Sequence, residues 1–265
     1  MRSSLRAVPT ILRVAAAETL AYRTEFVIWM LTTTMPLIML GLWTSVAEEA
    51  PFGQFGEREF IAYYLAALVV RNVTGSWVIW QVNDDVRNGR LNVKLLRPIH
   101  PFLYYMTHHL GSVPLRLIVA FPFTIILLLT SAGDLIVTDP ARLSIFVLSL
   151  VGAWMLTFYS MLIVGTLALW IDKSVALFDV YLGVFGVLSG YLSPLSLLPD
   201  WADAAASYTP FRYMLAFPVE LAIGQLDASE ALEQLAAQWI FVVVLVAGAL
   251  ALWRRGIRRY EAYGA

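Results

Sequence analysis

The chain has 265 residues, of which 60% are hydrophobic and 14% charged, with a formal net charge of −1. A soluble domain carries roughly 25% charged residues, so this composition, with a mean hydropathy of +0.72, excludes an ordinary water-soluble domain and gives no basic surplus for nucleic acid. Cysteine is absent, which excludes a disulfide framework and any thiolate metal site.

Residues 1–25 carry Arg2, Arg6, Arg13 and Arg23 and lack a compact apolar stretch, so no cleavable signal peptide is expected. Leu5, Val8, Leu12 and Ala15 step by three and four, with Arg6 and Arg13 on a neighbouring face. That pattern predicts an amphipathic helix lying on the inner membrane surface, against the simpler alternative of a basic tail.

An apolar run of about 20 residues crosses the hydrocarbon core. The candidates are Phe26–Val46, Phe60–Gln81 (interrupted by Arg71 and Asn72), about Ser112–Ser131, Leu143–Ile171, about Ala176–Leu198 and Ala236–Trp253. Six spans put both termini on one side. With that side inside, the inner segments hold most of the arginines, including Arg254, Arg255, Arg258 and Arg259. The outer loops are acidic, with Glu48, Glu57, Asp134, Asp139, Asp200, Asp203, Asp227, Glu230 and Glu233. The positive-inside bias therefore places the termini, the 82–108 loop and the 172–175 loop in the cytoplasm. No linker or repeat divides the chain, so residues 1–265 read as one membrane domain. The lack of matched broken helices in its halves argues against an inverted-repeat transporter.

The segment after the second span reads Asn83-Asp-Asp-Val-Arg87-Asn-Gly-Arg90-Leu-Asn-Val-Lys94-Leu-Leu-Arg97-Pro98. On a continuous helix, Arg87, Arg90, Lys94 and Arg97 would share one narrow face. Anionic lipid attracts such cations at about 1 kcal/mol each, and the positive-inside rule alone accounts for any one of them. Asp84, Asp85 and Gly89 fit a lipid contact poorly. Carboxylates repel anionic headgroups, and glycine weakens a helix by about 1 kcal/mol. Together they favour a shaped protein contact.

Arg71 is an intramembrane cation, a placement costing about 2.5–3.5 kcal/mol on insertion scales. It reads either as a contact for substrate or for a gate carboxylate such as Glu220, or as a snorkelling or structurally paired arginine. Arg116, nearer the inner end of the third span, reads as snorkelling. Gly183, Gly186 and Gly190 in the fifth span suggest a close helix contact, with Gly186 and Gly190 as a small-xxx-small pair.

Residues 199–235 are too long for a turn and too apolar for a free loop. Pro210 and Pro218 cut them into pieces too short to span. Such pieces sit as short re-entrant helices buried against the spans, or serve only as a packed extracellular cap.

Tests for chemistry fail. His100, His108 and His109 form no His-Glu-x-x-His motif and read as interfacial, so no metal site is expected. No Gly-x-Ser-x-Gly elbow appears. The chain's lysines are Lys94 and Lys173, and neither sits in a phosphate-binding loop. The chain is not expected to be catalytic by itself.

The segment Asp85-Val-Arg-Asn-Gly-Arg-Leu-x-x-x-Leu-Leu-Arg-Pro-Ile99 after the second span, with Tyr208-Thr-Pro-Phe-Arg-Tyr213 before the sixth, resembles the ABC-2 type transporter permeases. The likeness covers nearly the whole chain and is nearest to the branch that includes bacterial viologen-exporter permeases. It implies an all-α type-V exporter fold with six transmembrane helices, an interfacial N-terminal helix and re-entrant extracellular helices over 199–235. The implied partners are ABC ATPase subunits, which carry ATP and Mg, a second permease (the same or a similar chain) and membrane lipid, in the bacterial inner membrane. The coupling helix would lie at about Asn83–Leu96, with Asp84, Asp85, Arg87, Gly89, Arg90, Lys94 and Arg97 as ATPase-coupling residues. Arg71, Asn72, Phe211, Arg212 and Glu220 become candidates for the pathway or gate. The function expected is outward transport driven by ATP. The competing classes are an ion-coupled secondary transporter and a non-transporting membrane scaffold.

Overall fold

The computed structural model describes residues 2–21, 24, 35–171 and 176–260. Arg23, residues 26–34 of the first predicted span, Lys173 and the 172–175 loop lie outside the described residues. Helices α1 (Arg2–Ala21), α2 (Met35–Glu49), α3 (Glu57–Thr74), α4 (Val78–Arg87), α5 (Arg90–Leu95) and α6 (Pro101–Gly111) form the first half. The second half holds α7 (Val113–Leu129), α8 (Pro140–Thr166), α9 (Ala176–Leu188), α10 (Asp200–Ser207), α11 (Ala216–Ala222) and α12 (Ala228–Tyr260). Among the described residues there is no β-sheet.

Local chemistry sets the helix ends. The Asp139 carboxylate caps α8 by accepting from the Arg142 N–H at 3.0 Å, with Pro140 in the first turn. Asp227 accepts from the N–H groups of Ser229 and Glu230, both at 2.8 Å, while Glu230 reaches back to the Asp227 N–H at 2.9 Å. This reciprocal cap starts α12 well before its apolar run begins.

Among the described residues, three stretches are long and apolar enough to cross a membrane: Pro101–Leu129, where α6 and α7 run on with a single-residue interruption, Pro140–Leu169 and Ala228–Tyr260. The fourth predicted span matches closely. The third starts earlier than its hydropathy suggests, and the sixth extends at both ends.

Two predicted spans look different. Phe60–Gln81 is broken at residues 75–77 into α3 and α4. The fifth stops at Leu188, leaving a helix of 13 residues. Gly190 then takes φ +80, and its carbonyl accepts from the Tyr63 hydroxyl at 2.8 Å. Gly186 and Gly190 therefore share no helical face. A β-carbon on Gly186 would meet Leu192 of the same chain, and one on Gly183 would meet open space.

Among the described residues two large cores organise the bundle, beside a smaller one around Leu195, Ala206 and Ala216. One joins α3 and α8 to α11, α12 and the preceding Tyr213–Leu215, around Tyr63, Tyr64, Leu156 and Phe217. The other joins α4, α5, α6 and the lower part of α8 to the end of α12, around Ile79, Leu91, Tyr105, Phe158 and Trp253. Helix α1 packs on α6, where Ala15 lies so close to Gly111 that a β-carbon on Gly111 would collide with it. Val8, Ile11 and Leu12 are half-buried and Arg13 is exposed, as the amphipathic pattern requires.

The two ends of the bundle carry opposite charge. Phe102 packs on Trp253 with ring centroids 4.9 Å apart, which brings the exposed Arg254, Arg255, Arg258 and Arg259 to the end holding α5. At the other end the Val137 N–H donates to the Ala222 carbonyl at 2.9 Å, and Arg58 pairs with Asp134 at 3.2 Å. The acidic 199–233 region closes that end.

Candidate functional site

The segment after α4 is two helices, not one. Gly89 takes φ +69 at the start of α5, a left-handed conformation that suits glycine. The predicted single cationic face is therefore divided. Arg87, Arg90 and Arg97 are exposed, and Arg90 pairs with Asp84. Lys94 turns inward and pairs with the buried Asp85. Asp85 also accepts from the Tyr105 hydroxyl at 2.7 Å, and the Lys94 ammonium lies 4.7 and 4.5 Å from the Tyr104 and Tyr105 rings. Burial holds the Lys94 ammonium below its ordinary range, and Asp85 offsets part of that.

Asp85, Lys94 and Tyr105 thus form a brace between α4, α5 and α6. Leu91, fully buried, pins α5 from below. What the brace presents outward is a tip with two apolar side chains among the arginines. Val93 is 56% exposed and Leu96 is 87% exposed. Charge spacing alone does not reveal this apolar pair, which the sequence carries as Val-x-x-Leu on a face that the arginines leave bare.

A second cluster surrounds the break between α3 and α4. Arg71, Asn72, Thr74, Ser76, His109 and Arg116 are all buried. Arg116 donates to the Gly75 carbonyl and lies 3.3 Å from His109 Nδ1. His109 Nε2 faces Ser76 Oγ at 3.5 Å. Arg116 is thus a buried helix-break ligand rather than a snorkelling cation, and His109 is interior rather than interfacial. Asn72 donates to the Leu68 carbonyl one turn back, at 2.9 Å, so its amide serves its own helix.

The Arg71 guanidinium does not meet Glu220. It lies 4.8 Å over the Phe185 ring and 5.8 Å from the Tyr191 ring.

Glu220 pairs with Arg212 instead, at 2.9 Å. Arg212 also donates to Asp203 at 2.8 Å and to Gln234 at 3.4 Å. One guanidinium therefore ties α10, α11 and α12 together. Burial pushes the Glu220 carboxyl up and Arg212 opposes that rise. A cleft of about 270 Å³ opens beside Arg212, lined by Ser207, Tyr213, Glu230, Glu233, Gln234 and Ala237. Phe211 packs on Tyr181 with the rings tilted at 54° and their centroids 5.6 Å apart. Gln238, unnoticed in the sequence, is fully buried and donates to the carbonyls of Ser149 and Tyr213, both at 2.9 Å. It fastens α8 and the cap to α12.

Long apolar helices packed around buried charge, with a braced tip at the basic end, define a multi-pass membrane protein. Its family follows from a match over nearly the whole chain. The model described as ABC-2 family transporter protein covers residues 28–264, and the chain belongs to that family. Membrane proteins of this family work with ABC ATPase partners in general. No curated protein matches the chain.

Proposed function

We propose that this chain is the membrane-spanning permease subunit of an ATP-driven exporter, close to the branch that includes viologen-exporter permeases. Hydrolysis belongs to a separate ATPase chain that carries ATP and Mg. The permease pairs with a second permease, the same or similar, in a bacterial inner membrane. Its six spans leave both termini in the cytoplasm, and the pieces over 199–235 form a re-entrant outer cap.

The observation that carries this reading is the tip at 87–97. Its arginines and the apolar pair Val93 and Leu96 face outward, while Asp85, Lys94 and Tyr105 hold its base rigid. An apolar anchor ringed by charge is the anatomy of a protein contact rather than of a lipid-facing loop. A push on the tip passes through the brace to α6. It passes also to α8, where Ile79 and Val82 of α4 pack so tightly on Gly165 that a β-carbon there would have to push them aside. The Arg212 ion pairs then form a latch at the opposite end, to be released or rebuilt as the permeases change state.

The test is purification of the tagged protein from native membranes in mild detergent. Recovery of a P-loop ATPase in equal amount, lost in the variant R87E/R90E, is the expected result. Reproducible recovery of the chain alone, under conditions that keep other such complexes intact, overturns it. The second reading, an ion-coupled transporter, draws on the broken helix at Gly75 with its buried cations. It requires transport by the chain without an ATPase.

A further inference from the structure

Arg71 is 7% exposed, and its Nε has no hydrogen-bond partner. Among the described residues no carboxylate pairs with it. Its guanidinium has the faces of Phe185 and Tyr191 and the edge of the Tyr191 hydroxyl for company. An arginine stays charged in any such surrounding. Arg116 lies close enough for the two cations to repel each other, so the region holds a positive potential. A buried cation whose Nε lacks an acceptor, flanked by aromatic rings, asks for one thing: an acceptor carrying negative charge.

We infer that Arg71, beside Phe185 and Tyr191, is a binding site for the anionic group of an amphiphilic or aromatic molecule, such as a carboxylate or a phosphate. The free guanidinium edge takes the anion, and the aromatic side chains around it are the neighbours of the apolar body. The same potential rejects organic cations. That separates this site from the dicationic cargo suggested by the viologen-exporter branch. Reading the occupant as cargo rests on the transport function proposed above. The binding itself does not.

The experiment is done on the purified full chain. In one arm it is held in neutral detergent, and 1-naphthoate or dodecyl phosphate is titrated against dodecyltrimethylammonium and methyl viologen, reading the melting temperature and ligand affinity. In the other arm it sits in phosphatidylcholine nanodiscs with and without phosphatidylglycerol. The expected result is stabilisation by the anions and not by the cations, with affinity falling about 30-fold or more in R71Q. R71K, which keeps the charge but loses the planar fork, falls between, and it provides the reading if R71Q does not fold. A response to the soluble anions identifies a cargo-like ligand, and a response to phosphatidylglycerol alone identifies a bound lipid. Equal responses in wild type, R71K and R71Q, or equal stabilisation by cations, overturn the site. Because no ATPase is present, failure here leaves the ATPase association standing, and failure of that association leaves this result standing.

Discussion

Arg212 and Glu220 form an ion pair at 2.9 Å in which both residues are buried, although eight positions separate them on a segment broken by proline. The pair is the hub of the cap, because the same guanidinium reaches Asp203 on α10 and Gln234 on α12. Removing one partner of a buried pair strands the other charge. R212Q should therefore destabilise the protein by about 3–5 kcal/mol, and the double variant R212Q/E220Q should recover part of that loss. Thermal unfolding in detergent checks it. An R212Q variant as stable as the wild type would mean that the cap does not depend on this latch.

The cations of the tip should separate into two groups. Lys94 is inside the brace, so K94M leaves Asp85 with only the Tyr105 hydroxyl and should cost about 1–3 kcal/mol. Arg87 is exposed and Arg90 makes an exposed pair with Asp84, of a kind usually worth about 0–1 kcal/mol. Charge reversal at Arg87 and Arg90 should barely move the melting temperature while removing ATPase association. A stable K94M, or an R87E/R90E that unfolds, would reverse these assignments.

Gly89 tests the shape of the tip apart from its charge. A β-carbon there meets nothing within 4 Å, so the cost of substitution is backbone strain at φ +69. G89A should cost about 1–2 kcal/mol, and G89N less, since asparagine tolerates this conformation better. The loss should be local: hydrogen exchange should quicken across α5, while the amides of α8 and α12 keep their protection. Uniform loss of protection in G89A would show that the turn supports the whole bundle.

The sequence made the spans legible where apolar runs are long and uninterrupted, as in Leu143–Ile171. It hid the break at Gly75 because Gly-Ser-Trp between apolar residues does not end a membrane helix by composition. The break needs the Arg116 guanidinium, 41 positions away, to satisfy the freed Gly75 carbonyl. Hydropathy also clipped the sixth span, since the polar cap at Asp227 and the arginines at 254–259 extend the helix without adding apolar residues. The candidate site was legible as a list of charges and not as a set of partners. Nothing in the spacing distinguishes Lys94, which turns into the brace, from Arg90 and Arg97, which do not. The pairing of Glu220 with Arg212 rather than Arg71 is likewise set by how α11 folds back.

The cap on α12 gives a pH dependence whose sign is fixed by Asp227. Its carboxylate accepts from the Glu230 N–H and then from the Ser229 hydroxyl and N–H, which hold its pKa below the usual 3.8. A carboxylate with a depressed folded pKa contributes stability in full above its unfolded value, and that contribution is lost as pH falls through the folded value. The loss therefore belongs below pH 3.8. As Asp227 protonates, the first turn of α12 should fray and Glu230 should lose its hold on the Asp227 N–H. D227N keeps an acceptor for the two N–H groups and should flatten the acid limb of the stability curve. D227A should lower stability at neutral pH and also flatten that limb. Melting temperature measured from pH 7 down to pH 3 for the three proteins checks the sign. An acid limb of unchanged steepness in D227N would assign it to other carboxylates.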